Sequence, residues 1–531
     1  MKKYITLLIV VLFGLISCED FLVEEPKGEP TNANFWKTEA DVISATTALY
    51  IFNDFQGIYG RGMNLYSLVP SDDFVVGKPK SQIEEIKDFI TSGNGSYTRD
   101  IWPMHFIVVK RANDIIRNVP DLEINADVKN FALGEAYFMR GLAYFQLSIL
   151  YGDNNSGGIP IVDETITEDF FIERPTSVST SYEFAAESFT KAAALLPYFD
   201  AANSDRLGRP HKNAALGYLA RVHLHNAEFN PASWDSVITA CDEVINSNKN
   251  ALESNFEDAF KIASNWGSEY LWSVPSNTIG GSMFAGASLE NRGWGKYNGW
   301  GYFAPTLELY ESYEAGDARR DATLLAFGDE FEFFGSTRKY ASANSLTGFQ
   351  LKKYLEPFGY ANAVELNPNG DHPSTNLNLP LLRYSHILLM KAEALIVKNG
   401  AGSGDTEINL VRARANLAAK TGATLEDLKA ERRAEFAGEL LGRYEDLCRW
   451  GDVAKIKGAL HGKRHLGVVF DTADGDNKGF PVLSTDFTEV FPTTEVWQER
   501  SNFILETHRV WPIPANAIDT SRETLSQNLG W

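Results

Sequence analysis

Cysteine is scarce: three residues in 531, too few for a disulfide framework or a cysteine-built zinc site. One of them, Cys18, closes the string Leu15-Ile16-Ser17-Cys18, which looks like a bacterial lipobox and implies cleavage before Cys18 and acylation of its thiol. Of the other two, Cys241 lies on the apolar stripe Ile238, Cys241, Ile245, the place of a buried thiol acting as a small hydrophobe. Positive charge is also in deficit. Lys and Arg total 49 against 70 Asp and Glu, a net charge of −21, with a pI near 5.0. Nucleic acid and anionic lipid are therefore repelled at long range, and so is a polyanionic glycan unless a local basic pocket overrides the field; neutral sugar fits better. The apolar run from Ile5 to Ile16, preceded by Lys2 and Lys3, is too short to span a bilayer and reads as a signal peptide. Residues 1–17 are thus excluded from the fold, Cys18 is the expected lipid attachment site, and 18–34, acidic and carrying Pro26 and Pro30, is an extended tether.

Catalytic signatures are missing as well. The patterns G-x-S-x-G, H-E-x-x-H, G-x-G-x-x-G and the P-loop are absent. Asp471 to Asp476 suggests a calcium loop, but setting Gly475 at the EF-hand glycine puts Phe470 and Thr472 at ligand positions, and the pattern fails. No cofactor or metal is expected, and the chain does not read as an enzyme. A glycosidase needs only two suitably spaced carboxylates, so that reading stays as a weaker alternative.

What is present is helical. Residues 381–451 hold three successive helical patterns joined by Gly-rich breaks, and in the third Thr424 and Asp427 form a capping box ahead of Leu428, Arg432, Phe436 and Leu440. Arg432, Glu435 and Glu439 then fall on or beside the buried face. Charges there must be paired, and Glu393, Arg412, Arg414, Arg443, Asp446 and Arg449 are the candidate partners. Further helices are expected from Thr38 onward, after Trp102-Pro103, over about 127–151 with Ala136, Gly141 and Ala143 allowing close approach, and over 181–196, 213–228 and 233–246.

Four strings in this order, Ala392-Glu393-Ala394, Arg412-Ala413-Arg414, Glu431 to Phe436 and Asp446 to Gly451, resemble the C-terminal signature of the SusD/RagB family. Those are outer-membrane lipoproteins of Bacteroidetes that bind glycans for a TonB-dependent transporter. Phe35-Trp36 and the closing Trp511-Pro512-Ile513-Pro514 and Gln527 to Trp531 extend the likeness over nearly the whole chain. In this family Glu19 and Asp20, directly after the lipidated cysteine, resemble a signal for the cell surface. The resemblance implies a mainly α fold of degenerate tetratricopeptide-like helical repeats with a long loop-rich insert. A single body then covers 35–531, with repeats over about 39–250 and 381–451 and a ligand-facing insert over about 252–380.

The functional signal lies in that insert. Between 266 and 303, nine aromatics are interleaved with glycines. A sugar ring is bound by an aromatic face beneath its C–H surface and polar groups at its rim. Asn291, Arg292, Trp294, Tyr297 and Trp300 supply both, although the aromatics could equally pin a long loop to the core; Trp266 and Trp272 are assigned to the core. Arg61, Asp72 and Asp73, in the other long loop region, are additional glycan-contact candidates, with a solvated turn as the competing reading. The expected function is a lipid-anchored, surface-exposed outer-membrane protein that captures oligo- or polysaccharide and passes it to a SusC-like TonB-dependent transporter. A surface scaffold or peptide-binding partner of that transporter, without a sugar site, is the alternative.

Overall fold

The computed structural model describes residues 35–53, 58–168, 171–276, 294, 299–340, 345–356, 375–466, 469–470, 481–482, 488–497 and 500–531. The signal peptide, the 18–34 tether with Cys18, and Asn291, Arg292 and Tyr297 lie outside the described residues.

The chain is mainly α. Helix α1 (Glu39–Thr47) starts at a capping box in which Thr38 Oγ1 accepts from Asp41 N at 3.2 Å and Asp41 Oδ2 accepts from Thr38 N at 2.8 Å. After the short α2 (Gly62–Leu68) come α3 (Ile101–Asn118), α4 (Ala126–Tyr151), α5 (Val178–Leu195), α6 (Lys212–Asn226) and α7 (Ser233–Asn246). Each packs on the next in a helical stack. Small residues set the spacing: a Cβ added at Gly141 of α4 would lie 3.1 Å from the Phe189 ring and 3.2 Å from the Ala185 carbonyl oxygen of α5. Ala136 and Ala143 are fully buried on the same helix. Arg140, also buried, donates to Asn113 Oδ1 at 2.9 Å, Ser188 Oγ at 3.1 Å and Glu164 Oε2 at 2.5 Å, so its charge is compensated where the helices meet.

The stack continues across the insert. Helix α8 (Tyr384–Asn399) packs directly on α7, and α9 (Asp405–Arg414) and α10 (Leu425–Phe436) pack on α8. Helix α10 has the capping box read from the sequence, with Asp427 N donating to Thr424 Oγ1 at 3.3 Å and Thr424 N to Asp427 Oδ2 at 2.9 Å. Helix α11 (Arg443–Trp450) follows and ends on Gly451 in the left-handed conformation. Between α7 and α8 the chain forms short strands. Of these, β2 (Tyr270–Val274) and β6 (Leu379–Arg383) pair antiparallel at the two ends of the insert. Within it lie β3 (Phe303–Pro305) and the hairpin of β4 (Glu330–Phe333) and β5 (Ser336–Lys339). Strand β1 (Phe74–Val76), from before α3, pairs antiparallel with β3.

Ionic groups fill the junction of insert and stack. Arg383, 2 % exposed, donates to Glu439 Oε1 at 2.7 Å and Oε2 at 3.0 Å, to Glu435 Oε1 at 3.0 Å, and to Glu269. Arg414 bridges Glu269 and Glu435, Lys353 donates to Glu439 at 2.9 Å, and Arg319 joins Asp317, Glu431 and Glu435. Burial opposes ionisation of Glu435, but Arg414, Arg383 and Arg319 outweigh it and hold its pKa well below the usual carboxylate range. A second group joins Arg432 to Asp446 at 2.8 Å and Arg449 to both Asp446 and Glu393. The charges that helical spacing places on the inner face are paired as desolvation requires. Arg319, Lys353 and Glu269, which come from the insert, complete the set.

Candidate functional site

Strand pairing brings two distant loop regions together. Val76 of β1 lies opposite Phe303 of β3, and the Gly77 amide beyond it donates to the Tyr302 carbonyl at 3.1 Å. The backbones approach so closely that a Cβ on Gly77 would sit 2.5 Å from the Gly301 carbonyl oxygen, and Gly301 itself has φ +63°. Trp300 and Tyr302 are thereby held beside the chain that runs from Gly77 to Lys80.

Five side chains meet there. Tyr97, from a turn closed by the Thr98 amide on the Gly95 carbonyl, has its ring 6.1 Å from that of Tyr302 at a 43° tilt. Trp300 lies 5.7 Å from Tyr302 at 44°. Three rings so tilted form a curved wall rather than a flat stack. Arg61, the residue before α2, places its guanidinium carbon 4.7 Å from the Tyr97 centroid and 5.2 Å from that of Trp300. The Lys80 ammonium donates to Tyr97 Oη at 3.1 Å and lies 5.4 Å from the Tyr302 centroid. Burial resists ionisation of Tyr97, yet Lys80 and Tyr302 outweigh it and hold its pKa below the ordinary phenol value; Tyr302 is raised by burial and then by Tyr97. Trp300 and Tyr97 are half-buried, so the wall keeps an open side.

Arg61 and Trp300 are thus brought together, whereas three other expected contacts are corrected. Asp72 and Asp73 are buried, not at a solvated turn or a ligand surface. Arg443 clamps Asp72 through Nε to Oδ1 at 2.7 Å and Nη2 to Oδ2 at 2.8 Å, and Arg433 Nε reaches Asp73 Oδ1 at 2.7 Å. Two adjacent carboxylates this deep are tolerated only because two guanidiniums meet them. The backbone carbonyls of the same pair accept from Thr306, from its hydroxyl at 3.1 Å to Asp72 and from its amide at 3.0 Å to Asp73, so they tie β1 and β3 to α10 and α11. Trp294 is 1 % exposed in a small core with Phe331, Phe333 and Tyr340. A large apolar ring gains more from that burial than from solvent exposure. Trp272 is core against Phe138 at 4.8 Å, and Trp266 packs edge-on to Tyr270 at 5.1 Å. Sequence reasoning missed Lys80 and Tyr97. The usable signal was the lone aromatic in the Gly93-to-Thr98 turn and the Lys78-Pro79-Lys80 string, both in the loop region already marked by Arg61.

A cleft of about 540 Å³ opens elsewhere, between the β4–β5 hairpin and the segment around Phe260. Its aromatic side chains, Phe260 and Phe331, are buried in the floor, and Lys261 and Lys353 on its walls are already paired with carboxylates. Its aromatic rings are not presented to solvent, in contrast to the half-buried Tyr97 and Trp300. Among the described residues no group of three or more His, Cys, Asp or Glu is placed to hold a metal ion, and no helix is long and apolar enough to cross a membrane.

This is the fold of a known class. Residues 268–531 match the SusD family, and residues 20–224 match a family described as starch-binding associating with outer membrane. The chain belongs to the SusD/RagB family. It is 26% identical over 487 residues to SusD-like protein P2 of Formosa agariphila, covering 86% of this chain and 91% of that one. Among solved structures, a SusD-like protein of Bacteroides fragilis superposes with a TM-score of 0.75 at 21% identity, covering 94% and 99% of the two chains. Surface glycan-binding protein A of Bacteroides thetaiotaomicron in complex with laminarihexaose superposes with a TM-score of 0.68 at 21% identity, covering 93% and 100%.

Proposed function

We propose that this chain is a glycan-binding lipoprotein of the outer membrane, anchored through Cys18 at the cell surface, that captures oligosaccharide on the wall of Tyr97, Trp300 and Tyr302 and passes it to a SusC-like TonB-dependent transporter. The observation that carries the reading is the wall itself: the half-buried rings of Tyr97 and Trp300, backed by the buried Tyr302, with cationic donors at the rim, beside a β1–β3 pairing that ion pairs tie to the helical stack. Family membership and the laminarihexaose complex of a structural neighbour support the same class of ligand. Asn291, Arg292 and Tyr297 precede Trp300 in the sequence and are proposed as additional contacts. Shallow stacking surfaces give modest affinity, so avidity with the transporter would contribute.

The test is calorimetric titration and affinity electrophoresis of the chain lacking residues 1–18 against neutral and acidic polysaccharides. Trp300→Ala is expected to weaken binding about tenfold, roughly 1.4 kcal/mol, with unchanged circular dichroism. Binding that survives Trp300→Ala would move the site elsewhere. No binding to any glycan would transfer the reading to a scaffold or peptide-binding partner of the transporter. Turnover abolished by one carboxylate substitution would indicate a glycosidase.

A further inference from the structure

Among the described residues, the charged groups set against the wall's rings are the cations Arg61 and Lys80. The charged groups that bear most strongly on the Tyr97 and Tyr302 hydroxyls are Lys80 and Arg61. The groups acting most strongly on Lys80 are Tyr97 and Tyr302, and among the described residues no ion pair joins it to a carboxylate. Lys78, half-buried, adds a further ammonium two positions earlier. On the neighbouring helix (Ser81–Lys87) and at its cap, Glu84 and Asp88 pair with Lys87.

Lysine and arginine are donors without acceptors. A neutral sugar presents hydroxyls that both donate and accept, and a site for it mixes Asn, Asp or Glu with its donors. A rim of ammonium and guanidinium groups suits a ligand that only accepts. The net charge of −21 opposes such a ligand at long range, but at physiological salt the Debye length is about 8 Å, so distant carboxylates are screened while contacts at 3 to 6 Å are not. Local charge decides.

We propose that the wall selects anionic glycans, in which a uronate carboxylate or a sulfate ester meets Lys80 while the adjoining pyranose lies on Trp300. This rests on the glycan-binding reading above and names its substrate class.

The experiment titrates the chain lacking residues 1–18 with a galacturonate hexamer, a sulfated galactan hexamer and laminarihexaose, at low and high sodium chloride. One of the anionic hexamers should bind at least about fivefold more tightly than laminarihexaose at low salt, and the advantage should shrink several-fold at high salt as the pair is screened. Which hexamer wins separates carboxylate from sulfate. Lys80→Gln, alone and with Lys78→Gln, should bring the anionic-to-neutral affinity ratio close to one in a protein that still melts cooperatively. Equal or tighter binding of laminarihexaose, abolished by Trp300→Ala and with a ratio insensitive to Lys80→Gln, would overturn anion selectivity and leave the glycan wall standing. Absence of binding to all three, or binding insensitive to Trp300→Ala, would overturn both.

Discussion

Replacing Arg383 by leucine removes the cation at the centre of the largest buried ionic group described above. Its guanidinium serves Glu269, Glu435 and Glu439, each less than 4 % exposed. Lys353, Arg414 and Arg319 remain on these same three carboxylates, so the set loses one of four cations and, because Arg319 also serves Asp317 and Glu431, is left with an excess of buried negative charge. Breaking a buried pair by deleting one partner costs about 3–5 kcal/mol, whereas an exposed pair is worth below about 1 kcal/mol. Lys110–Asp114, with side chains 64% and 32% exposed, is such an exposed pair and the natural control. At about 2.1 cal/mol/K per residue, a chain of roughly 500 residues has an unfolding entropy near 1 kcal/mol/K, so the melting temperature of Arg383→Leu should fall about 3–5 °C at pH 7. Lys110→Ala should leave it within about 1 °C. The pH dependence carries a further sign. Glu435 and Glu439 have folded pKa values held below the usual 4.5, after burial is opposed by their cations. Their contribution is therefore present above about pH 4.5 and lost as pH falls through the depressed values. Without Arg383 those values rise, acid unfolding begins at higher pH, and the gap from the parent protein narrows below pH 4. Thermal melts followed by circular dichroism from pH 3.5 to 8 read both effects. A melting temperature unchanged at pH 7, or a deficit that is the same at pH 7 and pH 4, would refute the argument.

Two further outcomes follow from the same geometry. Gly77→Ala drives a Cβ against the Gly301 carbonyl; it should cost about 1–3 kcal/mol by urea titration and weaken glycan binding, because the β1–β3 approach that seats Trp300 is forced apart. Glu445, buried and accepting from Ser67 Oγ at 3.1 Å, has its pKa pushed up to about 8 by burial. The folded protein thus holds a proton that the unfolded chain releases above about 4.5, and stability falls as pH rises between those values. Glu445→Gln should raise the denaturation midpoint at pH 8.5 and change it little at pH 4.

The helical frame was legible because its signals are local. The capping boxes at Thr38 and Thr424, the small residues at 136, 141 and 143, and charges at helical spacing on an apolar stripe each carry their own physical reason, and the four C-terminal strings tied them to a family. The cluster proposed as the ligand wall was half legible. Arg61 and Trp300 announced themselves as polar and aromatic residues in loop-rich chain, but their meeting depends on the pairing of Val76 with Phe303, a contact between segments that no local pattern relates. Asp72 and Asp73 misled for the same reason. A Ser-Asp-Asp string reads as a solvated turn until Arg433 and Arg443, far along the chain, arrive opposite it. Trp294 looked like its neighbour Trp300 in sequence, and only the hairpin that covers it with Phe331 and Phe333 separates the two.

The clasp formed by β2 and β6 makes the insert a closed excursion: Tyr270 and Arg383 are sequence-remote yet face each other, and α7 meets α8 as though nothing intervened. Doubling the length of a loop already closed at its base adds only about 0.6 kcal/mol of closure entropy. Length changes in the insert that spare Arg319, Lys353 and β3 therefore cost the helical frame little, because those residues and the β2–β6 clasp are what tie the excursion to it.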